Sequence, residues 1–166
     1  DSRLYYPDDT HENFGARMTG IITVTETASY RFFITSDDSS ELWLNKTGTT
    51  EAGLEKIAEE TGCCNAFTEP DSARTSAPIP LTAGTQYLLR GIYKEGGGGD
   101  YMQIAWRKEG NPQPANTLRP IPGNIDPWAG APAVTTQPNG AAVAPGGSAT
   151  MSVAAELGAH PLSYQW

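Results

Sequence analysis

Three carboxylates and a glycine run are the parts of this sequence best suited to chemistry. Asp37 and Asp38 are consecutive within Ser36-Asp37-Asp38-Ser39-Ser40, and Asp100 closes the run Gly96-Gly97-Gly98-Gly99. A hard cation such as calcium takes about 6–8 oxygens from carboxylates, main-chain carbonyls and water. Glycines let a loop turn its carbonyls inward at φ values that other residues resist. Adjacent side chains of a strand point to opposite faces, so Asp37 and Asp38 can grip one ion only where the backbone departs from a regular strand. The plainer alternative is that Asp-Asp-Ser-Ser is a turn, since both residue types are favoured there, and that the glycines form a flexible hairpin tip.

Other candidate chemistry is weaker. Cys63 and Cys64 are the only cysteines and are adjacent, which excludes both Cys-x-x-Cys metal spacing and an ordinary loop-closing bridge. Three states remain open: a vicinal disulfide, which is preferred, bonds to another chain, or two free thiols. The glycine run lacks the following Gly-Lys-Ser/Thr of a phosphate cradle and leads into a strand. His11 and His160 fall in different presumptive modules, so neither a zinc set nor a Ser-His-Asp triad assembles. Glu59-Glu60 could serve a glycosidase as paired carboxylates, but a solvated face is the preferred explanation. Asn45-Lys46-Thr47 is an N-glycosylation sequon of little weight here. Trp43, Tyr93 and Tyr101 flank the acidic loops, where a sugar ring could stack, and they are equally ordinary sandwich residues. Cys63, Cys64 and Phe67 could rim the same pocket.

The elements that must position these residues are strands. The 166 residues hold 18 glycines and 13 prolines with 18% charged and 9% aromatic residues, a composition of many turns and short strands, and the expected class is all-β. Residues 20–36 read as a hairpin around a polar turn at 25–29, with Tyr30, Phe32 and Ile34 on one face and Arg31, Phe33 and Thr35 on the other. Glu41–Asn45, 86–94 and 101–107 read as further strands, with Met102, Ile104 and Trp106 facing one core. Leu54 to Glu60 fits a short helix or a strand in an irregular excursion, and an irregular segment or strand is chosen over the helix. Prolines from Gly110 to Pro138 mark a wrapping tail that becomes a linker. Pro132–Gln137, Ala141–Ala144, Ala149–Ala154 and Leu162–Trp166 are short strands at sandwich spacing. The formal net charge of −8 repels a phosphate backbone, so nucleic acid is not an expected partner. No run of about 18 apolar residues or signal peptide is present. The chain begins without Met and ends in what reads as mid-strand, as a piece of a longer, processed protein would.

Four blocks carry a resemblance: Phe14-Gly15-Ala16-Arg17-Met18-Thr19-Gly20; Tyr30 through Asp37-Asp38 to Leu44; Arg74-Thr75-Ser76-Ala77-Pro78-Ile79-Pro80-Leu81; and Lys94 through the glycines to Asp100, running into Ile104-Ala105-Trp106. In this order the chain resembles the PA14 domain, in the form common in large secreted proteins of environmental bacteria, over roughly residues 12–125. The resemblance implies a β-sandwich or barrel. In lectin-like members it also implies a calcium ion held by a consecutive Asp pair with a cis peptide bond, and by carbonyls and a polar side chain of a second loop. Here these are Asp37, Asp38, Gly98, Gly99 and Asp100. The family usually begins with one or more strands before the first block, whereas only Asp1 to Asn13 precede it here, which leaves one sheet either incomplete or closed by something else. Residues 138–166 look like strands A to C of a bacterial immunoglobulin-like domain, with Trp166 as the core tryptophan of strand C.

The expected organisation is therefore a PA14-like domain over 1–128, and a linker with a partial immunoglobulin-like domain over 129–166. The expected role is calcium-dependent glycan binding or adhesion, outside the cell or at its surface, as a module of a larger protein and not as an enzyme. Its partners would be carbohydrate or neighbouring extracellular domains, with Trp43, Tyr101, Cys63 and Cys64 as candidate ligand contacts. A calcium-stabilised structural spacer of an extracellular fibre or surface layer is the alternative.

Overall fold

The computed structural model describes residues 5–6, 12–70, 72–121, 133–136, 142–144, 146–150, 152 and 154–156. The chain divides into two compact units, Asp1–Ile125 and Asp126–Trp166.

The first unit is built of antiparallel strands: β1 Tyr5–Tyr6, β2 Phe14–Thr23, β3 Ala28–Asp37, β4 Ser39–Asn45, β5 Leu54–Glu60, β6 Ile79–Leu81, β7 Gln86–Glu95 and β8 Tyr101–Lys108. They form two four-stranded sheets, ordered β1-β8-β3-β6 and β2-β7-β4-β5. The period-2 pattern explains how the sheets stack. Tyr30, Phe32 and Ile34 of β3 and Met102 and Ile104 of β8 share one buried cluster with Leu42 and Leu44 of β4 and Tyr87, Leu89 and Tyr93 of β7. Each such side chain contributes about 1.5–3 kcal/mol on burial. Trp106 packs partly buried against this cluster. The opposite face of the β3/β8 pair is also covered, because Phe33 and Ala105 pack with Phe67 and Ala115. Ala115 belongs to a 3-10 turn, Ala115–Thr117, in the proline-rich tail.

One expectation changes. β2 and β3 are not a hairpin: β2 pairs with β7 from Phe14↔Glu95 to Thr23↔Gln86, while β3 pairs with β8 and β6. Alternation fixes which face of a strand is buried, not which strand lies beside it, and here the turn at 25–29 carries the chain from one layer to the other. Leu54–Glu60 is a strand and not a helix, as chosen from the sequence, paired to β4 with a bulge between Leu42 and Trp43.

In the second unit, β9 Ala133–Thr136 pairs antiparallel with β10 Ala154–Glu156. Residues 142–144, 149 and 150 are not strand, so the second and third strands read from sequence are not placed there. Leu162–Trp166, with Trp166, lies outside the described residues. An immunoglobulin-like domain is not drawn from one strand pair.

Candidate functional site

Topology gathers the acidic residues. β3 and β4 lie in different sheets and are separated only by Asp38, so the chain crosses between layers at Asp37–Asp38. β7 and β8 also lie in different sheets, and Gly96–Asp100 is their crossing. The registers Asp37↔Tyr101 and Ser39↔Lys94 set the two crossings side by side. Ser40↔Glu60 brings the loop after β5 to the same end, and Phe14↔Glu95 does so for the segment before β2.

Asp38 is fixed at three points. Its N–H donates to Glu95 Oε2 (3.1 Å), its carbonyl accepts from the buried Ser36 hydroxyl, and its carboxylate Oδ2 accepts the N–H of Gly96 (2.8 Å). The peptide bond between Asp37 and Asp38 is cis. The Asp37 carbonyl lies against the hydroxyl of buried Tyr93, which is 2.7 Å from Glu95 Oε2. Burial, then the hydrogen bond with Glu95 and the charges of Glu95, Asp100 and Asp37, push the Tyr93 phenol well above its usual range. Glu95 itself is only 2% exposed, and its Oε1 has no hydrogen-bond partner among the described residues. A buried carboxylate oxygen left so is costly unless a cation balances it.

The glycine crossing packs against both aspartates. A side-chain carbon at Gly96 would stand 2.8 Å from Asp38 Oδ2, and one at Gly99 3.3 Å from Asp37 Oδ2. Gly98 has φ +117°, which favours glycine, and its N–H donates to Glu12 Oε2 (3.0 Å). Asp100, at the loop's end, is buried.

The third loop carries the cysteines. Cys63 and Cys64 form a disulfide and are exposed. The Asp37 carboxylate and both sulfurs lie within 4.8 Å of one another, a group that Asp38 and Asp100 do not join. The Cys64 N–H donates to the Ser36 carbonyl (3.0 Å), and the Asn65 carbonyl accepts from the Thr35 hydroxyl and from Tyr101 Oη (3.3 Å). Beneath the loop, Glu60 accepts the N–H of Gly62 (3.0 Å), the amide of Asn65 (3.1 Å) and Arg74 (3.4 Å). Glu60 is therefore not a solvated surface carboxylate: it is buried, because β5 continues to Glu60 with that side chain facing inward.

The PA14 domain family matches residues 4–116. The chain belongs to the PA14 domain family. Two curated mouse (Mus musculus) proteins are similar to it. They are N-acetyl-beta-glucosaminyl-glycoprotein 4-beta-N-acetylgalactosaminyltransferase 1, 29% identical over 103 residues, and Fibrocystin-L, 30% identical over 95 residues. The matches cover 58% and 57% of this chain but only 10% and 2% of those proteins. Two solved Candida glabrata structures, both in complex with Galb1-3GlcNAc, are also similar. The Epithelial Adhesin 6 A domain has TM-score 0.47 and 17% identity, covering 64% of this chain and 49% of that one. The Epithelial Adhesin 9 A domain has 0.46 and 13%, covering 68% and 54%.

Within this PA14 domain the predicted residues divide. Asp37, Asp38, Gly98, Gly99, Asp100, Tyr101, Cys63 and Cys64 meet at one end of the sandwich. Trp43 does not: it lies five residues beyond Asp38 along β4, about 16 Å away at the usual rise, and its indole N–H is bonded to Glu41. Phe67 is a core residue against Phe33, not a rim. The sequon is closed, because buried Asn45 accepts from the N–H and hydroxyl of Thr47 and the N–H of Gly48, and donates to the Thr50 carbonyl. His11 and His160 lie outside the described residues. Sequence reasoning missed Glu12, Ser36 and Glu95, read Glu60 as solvated, and gave the Tyr93 ring a stacking or packing place but its hydroxyl no role. The available signal was a polar residue at an inward position of a strand end: Ser36 follows Ile34, and Glu95 follows Tyr93, on the buried face.

Proposed function

We propose that the PA14 domain of this chain binds calcium at the paired sheet crossings and uses the bound ion to recognise a glycan, as an adhesion or targeting module outside the cell and not as an enzyme. The supporting observation is the set of carboxylates at one end of the sandwich: Asp37 and Asp38 against the glycine loop, with buried Asp100 and Glu95 beside them. Such a set suits a hard cation taking carboxylate and carbonyl oxygens. Asp37, Asp38, Asp100 and the carbonyls of Gly98 and Gly99 would hold it, and the ion would supply coordination to sugar hydroxyls.

The exposed disulfide and half-buried Tyr101 stand beside Asp37 and give the ligand an apolar wall for the C–H face of a sugar ring. Among the described residues no helix is long and apolar enough to cross a membrane. The name of one mouse relative and the ligand in both adhesin structures concern glycans, and they prompt the choice of probe.

The experiment is calorimetric titration of calcium into the wild-type chain and Asp38→Ala, followed by a glycan array with calcium and with chelator. The wild type should bind calcium and Asp38→Ala should not, and glycan capture should vanish in chelator. Calcium at about 100 times its Kd should stabilise the wild type by about 2.7 kcal/mol, and magnesium by much less. Equal heats for wild type and Asp38→Ala remove the calcium reading. Calcium binding without glycan capture leaves the structural spacer.

A further inference from the structure

We infer that Glu95 and Gly96 act as one positioning clip that aims the Asp38 carboxylate at the cation; the inference rests on the calcium reading above. The bonds are reciprocal. The Glu95 side chain takes the main-chain N–H of Asp38 (3.1 Å), and the main-chain N–H of Gly96 gives to the Asp38 side chain at Oδ2 (2.8 Å). Because Glu95 and Gly96 are consecutive, the two bonds close a ring between segments 57 and 58 residues apart in sequence. Neither half of Asp38 can turn without breaking one of them. With one lone pair of Oδ2 held by Gly96, the carboxylate plane is fixed and Oδ1 and the second lone pair of Oδ2 remain to ligate.

The clip is anchored from below. Glu95 is the last residue of β7, with its side chain on the same buried face as Tyr93. The Tyr93 hydroxyl touches both Glu95 Oε2 and the Asp37 carbonyl, which ties the clip to the other aspartate of the pair. A side chain at position 96 would displace the Asp38 carboxylate, since a carbon added there would sit 2.8 Å from Asp38 Oδ2. Glu95 thus acts through Asp38, as partners behind metal ligands commonly do.

Three variants test it: Glu95→Gln keeps an acceptor oxygen for the Asp38 N–H, Glu95→Ala removes it, and Gly96→Ala drives the Asp38 carboxylate away. Calcium Kd is measured by calorimetry on each, together with the melting temperature in chelator. The expected result is a Kd for Glu95→Gln within about threefold of wild type, and for Glu95→Ala and Gly96→Ala at least about tenfold weaker. A merely structural role lowers the melting temperature in chelator but leaves the Kd of folded protein unchanged, and that result overturns the clip. So does a Glu95→Gln variant as weak as Glu95→Ala. If Glu95→Ala fails to fold, Gly96→Ala decides, with an unchanged Kd again overturning the inference. A wild-type chain giving no calcium heat removes the calcium reading and the clip together, whereas wild-type binding with unaltered variants removes the clip alone.

Discussion

Glu60→Ala has a cost that can be worked from its contacts. The Glu60 side chain is 2% exposed and serves three donors: the Gly62 N–H, the Asn65 amide and the Arg74 guanidinium. Hydrogen bonds to charged groups contribute about 1.5–3 kcal/mol each, and breaking a buried ion pair costs about 3–5 kcal/mol. These figures do not add, and Arg74, with a quarter of its side chain exposed, recovers water once its partner is gone. A loss of about 3 kcal/mol follows, which in a unit of this size lowers the melting temperature by roughly 10–15 °C. Glu60→Gln keeps one acceptor but turns an amide N–H toward donors, so its loss should be about half as large. Circular-dichroism melts of the three proteins at neutral pH, in chelator, make the comparison. A Glu60→Ala melt within about 2 °C of wild type would mean that this carboxylate is solvated, and the reasoning would fail. The functional consequence is separable: the freed loop carries Cys63 and Cys64, so glycan capture should fall while calcium affinity holds.

Two further outcomes are expected. The untreated chain should be lighter by two hydrogens than the chain reduced with a dithiol; reduction should weaken glycan capture without changing calcium affinity, and two alkylatable thiols in untreated protein would refute it. Glu69 should titrate near 2, because the Arg107 guanidinium, first, and the Ala115 N–H, second, hold its carboxylate below the ordinary range. A folded value below the unfolded one stabilises at pH above about 4.5 and is lost as pH falls from there toward 2, so Glu69→Gln should flatten the pH dependence of melting in that window. An NMR titration midpoint near 4.5 would overturn the assignment.

Strand faces were legible because burial imposes a period of two: Tyr30, Phe32 and Ile34 on one side of β3 and Phe33 on the other each found the core cluster their spacing required. Strand partners were not legible. The separation of β2 from β3 depends on a ten-residue register between β2 and β7 that no local pattern encodes. Glu59-Glu60 was misread for the same reason, since two adjacent carboxylates on a strand face opposite ways: Glu59 is half-buried and pairs with Lys56, while Glu60 is buried under the disulfide loop.

The candidate site shows where sequence reasoning stops and topology takes over. Asp37 and Asp38 stood out by residue type, but their place at the crossing between two sheets follows only from β3 and β4 lying in different layers. At such a crossing the ladder must break, so main-chain groups are released for other partners, and side chains from both inner faces are the nearest ones available. Ser36, Tyr93 and Glu95 fill that role, and each occupies an inward position where an apolar residue would otherwise continue the core. A polar residue at such a position is stable only if a polar crossing lies beside it. The same rule explains Trp43: half-way along β4 it is paired with Lys56 of β5, just past the bulge, and with Arg90 of β7, so it stands within the sheet and not at a crossing between layers where the acidic residues gather.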